Sequence, residues 1–524
     1  MLSFFLLLAT ALNTSFNANA IRAHVKFLSS DLLEGRGPGT RGDALAQSYI
    51  ATQFESYGLE TSLQKVALLG ITPDASKTEV AFTKDGQTVA GPLKFLDDFV
   101  GGDQTQGTQS TLDSEVVFVG HGVVAPEYKW DDYKGLDTRG KTLVMLVDDP
   151  PATASEPDLF KGRARTYYGR WTYKYEIGTA KGAQGVILIH TNDAAGYGWQ
   201  VVRNSWSGEQ AYVRKPADAH GLSIAAWITE SVAQNLFRAS GQDLAALTKA
   251  AASRDFKPVP LGIRIQGHIG STLRSFETAN VIAKLEGSDP QLKNEAVLYS
   301  AHHDHLGIGA ADPADPTDHI YNGALDNASG VATLLELARV WSSTTPRPKR
   351  SIYFAAVAAE EQGLLGSRYL AEHPPIPIAN VVLGINVDEL YFFGDVKSVS
   401  MIGVERTTFF PTAQAVTKEL GLTIVPDPAP EQGSYYRSDH FSFGKAGVPA
   451  FTIKQVPGDD AQRAFHADFK AKRYHQPGDQ FDPSWNFASA NQVATLAFRL
   501  GEEAANAAQK AAWLPGDEFA RKSP

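Results

Sequence analysis

Apolar and polar positions fall into distinct textures along the chain. From Thr278 onward, short apolar runs alternate with stretches that place apolar residues three or four apart. "NVIAKLEG", "AVLYSAHHD", "RSIYFAAVAA", "VVLGINVDE" and "PAFTIKQ" read as strands. "NASGVATLLELARVW", "PTAQAVTKELG" and "NFASANQVATLAFRLGEEAANAAQ" read as helices, the first with Asn327 or Ser329 as its cap. Strands apolar along their whole length and separated by helices predict an α/β fold, with a mostly parallel central sheet flanked by helices. Near the start, "RAHVKFLSSDLLEGRGPGTRGDALAQSYIATQFESYGLE" reads as helix, glycine-rich loop and longer helix, with Ala46, Tyr49, Ile50, Phe54 and Tyr57 at helical spacing. Between about residues 100 and 265 the texture changes to short β-rich pieces such as "SEVVFVGHGVV", "GKTLVMLVDDPP" and "AQGVILIHT", with one helix near "YKYEIGTAKGA". This segment reads as an inserted β-rich domain.

Composition narrows the chemistry. The 524 residues carry 48 basic and 58 acidic side chains, a net charge of −10, and no basic run, which argues against nucleic-acid binding by phosphate neutralisation. There is no cysteine, so any metal site must use His, Asp and Glu. The apolar stretch Phe4–Leu12 is too short to span a bilayer. It matches the core of a secretory signal, with Ala18-Asn19-Ala20 as the cleavage site, although no basic residue precedes it. The expectation is a signal peptide over residues 1–20 and a secreted or periplasmic protein. Arg41-Gly42-Asp43 spells an adhesion tripeptide, which three residues do easily by chance.

Where the strands end, the chain turns polar. In open α/β sheets the carboxyl ends of the strands carry the chemistry. "AVLYSA" runs into His302, His303, Asp304 and His305; "SIYFAAVAA" into Glu360 and Glu361; "VVLGINV" into Asp388. Asp326 stands just before a helix, and His475 precedes a Pro-Gly turn. Adjacent glutamates cannot share one face of a regular strand, so Glu360 and Glu361 must sit in the turn beyond it. An imidazole that binds metal normally passes its other N–H to a carboxylate, and the spacing of His302 and Asp304 suits that.

Together these motifs resemble the dinuclear zinc peptidase family of bacterial leucine aminopeptidases and glutamate carboxypeptidase II, from about Ile21 to the late 480s. The β-rich segment is similar to a protease-associated (PA) domain. The resemblance implies a peptidase domain in two parts, 21–99 and 266–524, around an inserted domain at 100–265. It implies two Zn²⁺ per subunit, bridged by Asp326, with His302 and Asp388 completing one site and Glu361 and His475 the other. Glu360 would be the general base and Asp304 the partner of His302. Three carboxylates against two divalent ions leave the site positive, which makes a second glutamate tolerable beside the first. Two metals about 3.5–4 Å apart can polarise a carbonyl and activate water together. Tyr435 is a candidate for stabilising the oxyanion.

Ser438, Asp439 and His440 have the composition of a hydrolase triad, but adjacent residues cannot form one, and no G-x-S-x-G elbow is present. Asp439 and His440 read as structural support. The expected activity is removal of N-terminal residues from peptides, with no nucleic-acid partner and the oligomeric state open. The alternatives are a carboxypeptidase of the same family, a glutaminyl cyclase acting as an acyltransferase with one zinc, and a receptor-like homologue without catalysis.

Overall fold

The computed structural model describes residues 15–195, 197–216, 218–312 and 315–520. The chain divides into two compact units: residues 1–66, 277–427 and 437–524 form the first, and 67–276 with 428–436 the second. The second unit is wider than the 100–265 segment read from texture. It takes in the strand Glu60–Lys84 from residue 67 onward, because Val80, Phe82 and Phe99 pack in its core. It also takes in 428–436, where the Arg165 amide donates to the Pro430 carbonyl at 3.0 Å.

In the first unit, four parallel strands lie side by side in the order Ser351–Val357, Ala296–His302, Val381–Val387 and Ala450–Val456. Antiparallel neighbours flank them on both sides: residues 281–285 of Val259–Leu285 beside the first, and Ser398–Ile402 beside the last. The α/β sheet expected from the alternation is the one found. Two of the four, Ala296–His302 and Ser351–Val357, show directly why their sequences are apolar throughout. Val297, Tyr299 and Ala301 join the larger core, beneath the helices Ser329–Ser343 and Ala488–Asn506. Ala296 and Leu298 join a smaller core on the opposite face, with Leu370 and Phe443. Every side chain of such a strand is buried, so none can be polar without a partner.

Ser329–Ser343 starts without a side-chain cap at Ala328, but the Asn327 Oδ1 accepts the Gly330 N–H at 2.9 Å. At the N-terminal side, Phe4–Leu12 lies outside the described residues. Ala18–Ala20 form the first turn of a helix, Ala18–Leu28, capped by Asn17, and Phe16 packs edge-on to Phe498. Asp43 of the adhesion tripeptide is buried and bonded to His303, so it cannot be presented to a partner.

The second unit carries a mixed sheet in the order Val259–Leu285 (its first part), Gln109–Phe118, Thr142–Leu146, Gly185–His190, Ile224–Thr229 and Phe99–Gly102. Its four middle strands are parallel, with a helix at Trp171–Ala180. No described helix is long and apolar enough to cross a membrane.

One contact in the first unit tests the packing. Within Ala488–Asn506, Gly501 faces the Tyr299 ring, and a Cβ added there would lie 1.7 Å from the Tyr299 Oη. Alanine in a helix interior normally gains about 1 kcal/mol over glycine. Here the overlap should win, because forced overpacking costs about 1–3 kcal/mol or more, and Tyr299 is anchored to Ala497 O at 3.0 Å. Gly501→Ala should therefore lower the thermal unfolding midpoint, and an unchanged or raised midpoint would contradict this packing.

Candidate metal centre

Strand ends and the turns beyond them supply the site. Ser351–Val357 ends, Ala359 takes a left-handed conformation (φ 52°), and the Glu360 carbonyl accepts N–H bonds from Gly363 and Leu364. The two glutamates thus lie in a tight turn, half-buried. Asp304, fully buried, holds that turn: its Oδ1 accepts the Glu360 N–H at 3.0 Å and its Oδ2 the Glu361 N–H at 3.3 Å. Its carboxylate stands 3.7 Å from His302 Nδ1, too far for a hydrogen bond, and the nearer acceptor for that nitrogen is the Asp304 carbonyl at 3.3 Å.

The five side chains expected to surround metal converge. His302 Nε2 lies 3.2 Å from Asp326 Oδ1 and 3.4 Å from Asp388 Oδ1. His475 Nε2 lies 3.2 Å from Asp326 Oδ2 and 3.2 Å from Glu361 Oε2. Asp326 therefore faces a different imidazole–carboxylate pair with each oxygen. Donors about 2.0–2.1 Å from a tetrahedral zinc stand roughly 3.3 Å apart, and all four spacings match. The set fits two hard or borderline divalent cations sharing one carboxylate.

Charge behaves accordingly. Burial opposes ionisation throughout, yet Glu361 and Asp326 raise His475 to about 11, and His475 in turn draws Glu361 down to about 2. Asp388 and Asp326 are likewise lowered, against burial, by the cations around them. Glu360 goes the other way. Burial, then Glu361, Asp439 and Asp388, push it well above the usual carboxylate range. Of the two neighbours, Glu361 is held as an anion and Glu360 is the one biased to carry a proton.

Residues 280–499 match the model of Peptidase family M28. The family read from the motifs is the family matched. A "Probable zinc metalloprotease" of Pyrenophora teres f. teres is 38% identical over 108 residues, covering 21% of this chain and 22% of that one. "Leupeptin-inactivating enzyme 1" of Streptomyces exfoliatus is 29% identical over 191 residues, 34% and 37% of the two chains. The chain thus spans well under two thirds of the length of these curated relatives. Among solved structures, an aminopeptidase from Aneurinibacillus sp. strain AM-1 aligns over 94% of this chain and 95% of its own, with a TM-score of 0.51 at 21% identity, a likeness of fold.

Several supports of this site were not foreseen. Asp479, four residues after His475, accepts the amides of Leu325 and Asp326, each at 3.0 Å. Arg36 donates to the carbonyls of Leu28, His303 (2.8 Å), Asn322 (2.6 Å) and Gly323 (2.9 Å). Asp388 is fixed by a relay: Ser300 Oγ donates to Asn386 Oδ1, Asn386 Nδ2 to Ser438 Oγ, and Ser438 Oγ to Asp388 Oδ2 at 2.6 Å. Ser438 is thus a support of the site and no nucleophile. His305, left without a role by the sequence reading, groups with Asp326 and Glu361. Its only sequence cue was its place in "HHDH". Tyr435 falls in the second unit, on the turn Ser434–Arg437, against Tyr436.

His475 is the most exposed of the five, with a side-chain exposure of 36%, and it closes only the second cluster. His475→Ala should leave a folded protein that binds one fewer equivalent of divalent metal than the native chain by elemental analysis. Equal metal content in both would remove His475 from the ligand set.

Proposed function

We propose that the protein is a zinc-dependent exopeptidase that removes N-terminal residues from peptides, using two Zn²⁺ held by His302, Asp326, Asp388, Glu361 and His475. The single observation that carries this reading is Asp326, which turns one oxygen to His302 and the other to His475. The M28 match and the relatives named as zinc metalloprotease and aminopeptidase support it. Bound zinc supplies Lewis acidity toward the scissile carbonyl and lowers the pKa of water.

The chain's own residues do the rest. Glu360 takes the proton from the attacking water and delivers it to the leaving amine nitrogen as the C–N bond breaks. The released residue keeps the new carboxylate, and the shortened peptide keeps a free amine. Burial, with Glu361 and Asp439 nearby, raises Glu360 above the ordinary carboxylate range, which strengthens it as a base. Asp304 keeps Glu360 and Glu361 in place through their amides. Tyr435 as an oxyanion donor, residues of the second unit as a PA-like insertion, and export from the cell remain parts of the same proposal.

The aminopeptidase choice rests on what the charges near the site already do. Arg473 stacks over Phe465 and its Nη2 pairs with Asp468 at 3.2 Å, while its Nε has no hydrogen-bond partner. Glu389, next to Asp388, is taken by the Tyr391 hydroxyl at 2.9 Å, by Lys470 and by Lys454 at 3.6 Å.

Glu360→Gln should lower kcat by about 10² or more while zinc content stays at the native level; Glu361→Gln should lose zinc. The reverse pattern would exchange their roles. A free dipeptide or aminoacyl-anilide should be cleaved and its N-acetylated form should not. Rapid release of the C-terminal residue from the blocked form would replace the aminopeptidase reading with a carboxypeptidase one.

A further inference from the structure

We propose that His305 is a positioning residue that fixes how Glu361 presents its carboxylate, an inference that rests on the two-metal reading above. His305 is fully buried, and its Nδ1 lies 2.7 Å from Glu361 Oε1, at an angle too bent for a full hydrogen bond; neither atom has a hydrogen-bond partner elsewhere. The second oxygen, Oε2, lies 3.2 Å from His475 Nε2. Glu361 is thereby divided: one oxygen turned to an imidazole N–H, the other left for the cluster with His475 and Asp326.

Spacing decides between a donor and a sixth ligand. His305, Asp326 and Glu361 are close enough to surround one ion. Two ligands on a tetrahedral zinc stand roughly 3.3 Å apart, however, as the four pairs at 3.2–3.4 Å do. The 2.7 Å between His305 and Glu361 is a hydrogen-bond length. A hydrogen on Nδ1 completes that bond with a small turn of the carboxylate, and Glu361 then sets the tautomer.

The ring cannot swing away. Its amide donates to the Arg36 carbonyl at 3.3 Å, and its face meets His475 edge-on at 5.8 Å. Behind it stands Gly323, at φ 58°, where an added Cβ would lie 2.6 Å from His305 Cγ and 2.3 Å from the Asp326 carbonyl oxygen. The turn that brings Asp326 into the site is the same one that walls in His305. With Oε1 occupied, Glu361 is kept from closing on an ion with both oxygens or rotating toward Glu360. Such outer partners are commonly worth 10–100-fold in metal affinity.

The test compares the full-length native chain with His305→Ala and His305→Asn, titrating each apoprotein with zinc against a competing chelator and recording thermal unfolding as a control for folding. Asparagine can place an amide N–H near the position of Nδ1. The native chain should bind two equivalents. His305→Ala should weaken one equivalent by 10-fold or more and leave the other within 2-fold, and His305→Asn should recover most of the loss. Native-like binding of both equivalents by His305→Ala overturns the proposal. So does an asparagine variant that folds yet binds no better than the alanine one, which would make the imidazole itself a ligand. A native chain that binds no zinc overturns the two-metal reading, and this inference with it, and is recognised without either variant.

Discussion

Mutual repulsion among buried carboxylates is the constraint around which the first unit is arranged. Asp388, Glu361 and Glu360, at the ends of two strands, meet Asp326 from the turn before Ser329–Ser343, and each would individually resist ionisation. Left to themselves, such groups would separate or take up protons. The structure holds them together by tying down the backbone that bears them, and only Glu360 is biased to take up a proton. Asp304 grips the amides of the glutamate turn, Asp479 those of the Asp326 turn, and Ser438 the Asp388 carboxylate itself. Each grip is a hydrogen bond to an anion or from a committed donor, the stronger class of such bonds. The result is a set of donors held at the spacing that a cation needs.

Much of this could be read from the chain, and the reason is local. A strand that is apolar along its whole length and then turns polar announces both its burial and its end, and His302, Glu360 and Asp388 each follow that rule. Glu360 and Glu361 were legible as a turn because two neighbouring charges could not both face one side of a strand. What escaped was whatever acts at a distance. Arg36 holds carbonyls, and carbonyls leave no trace in sequence. Asn386 and Ser300 sit inside apolar runs and gain meaning only when strands far apart in the chain lie side by side. Asp479 looked like part of an ordinary Pro-Gly-Asp turn. The domain edges were missed for a similar reason: Glu60–Lys84 reads as one strand, and nothing in its residues marks where it leaves one core for another.

The supports also explain why the site needs both ends of the chain. Arg36 comes from the N-terminal helical pair, His302 to Asp388 from the middle, and His475 and Asp479 from beyond residue 470. No short stretch holds enough of these groups to form the cluster alone.

Arg36 has a consequence for how the chain assembles. Its bond to the His303 carbonyl joins positions 267 residues apart in sequence. A flexible loop of that length would close slowly, since long-range contacts repay their entropy only after they form. The strand leaving the first unit, Glu60–Lys84, pairs with the strand returning to it, Val259–Leu285. With those two strands paired, the loop left to close shrinks to the stretches between Arg36 and Glu60 and between Leu285 and His303. A pairing of these strands ahead of the Arg36 contacts would thus lower the entropic cost of bringing the remote arginine to its carbonyls.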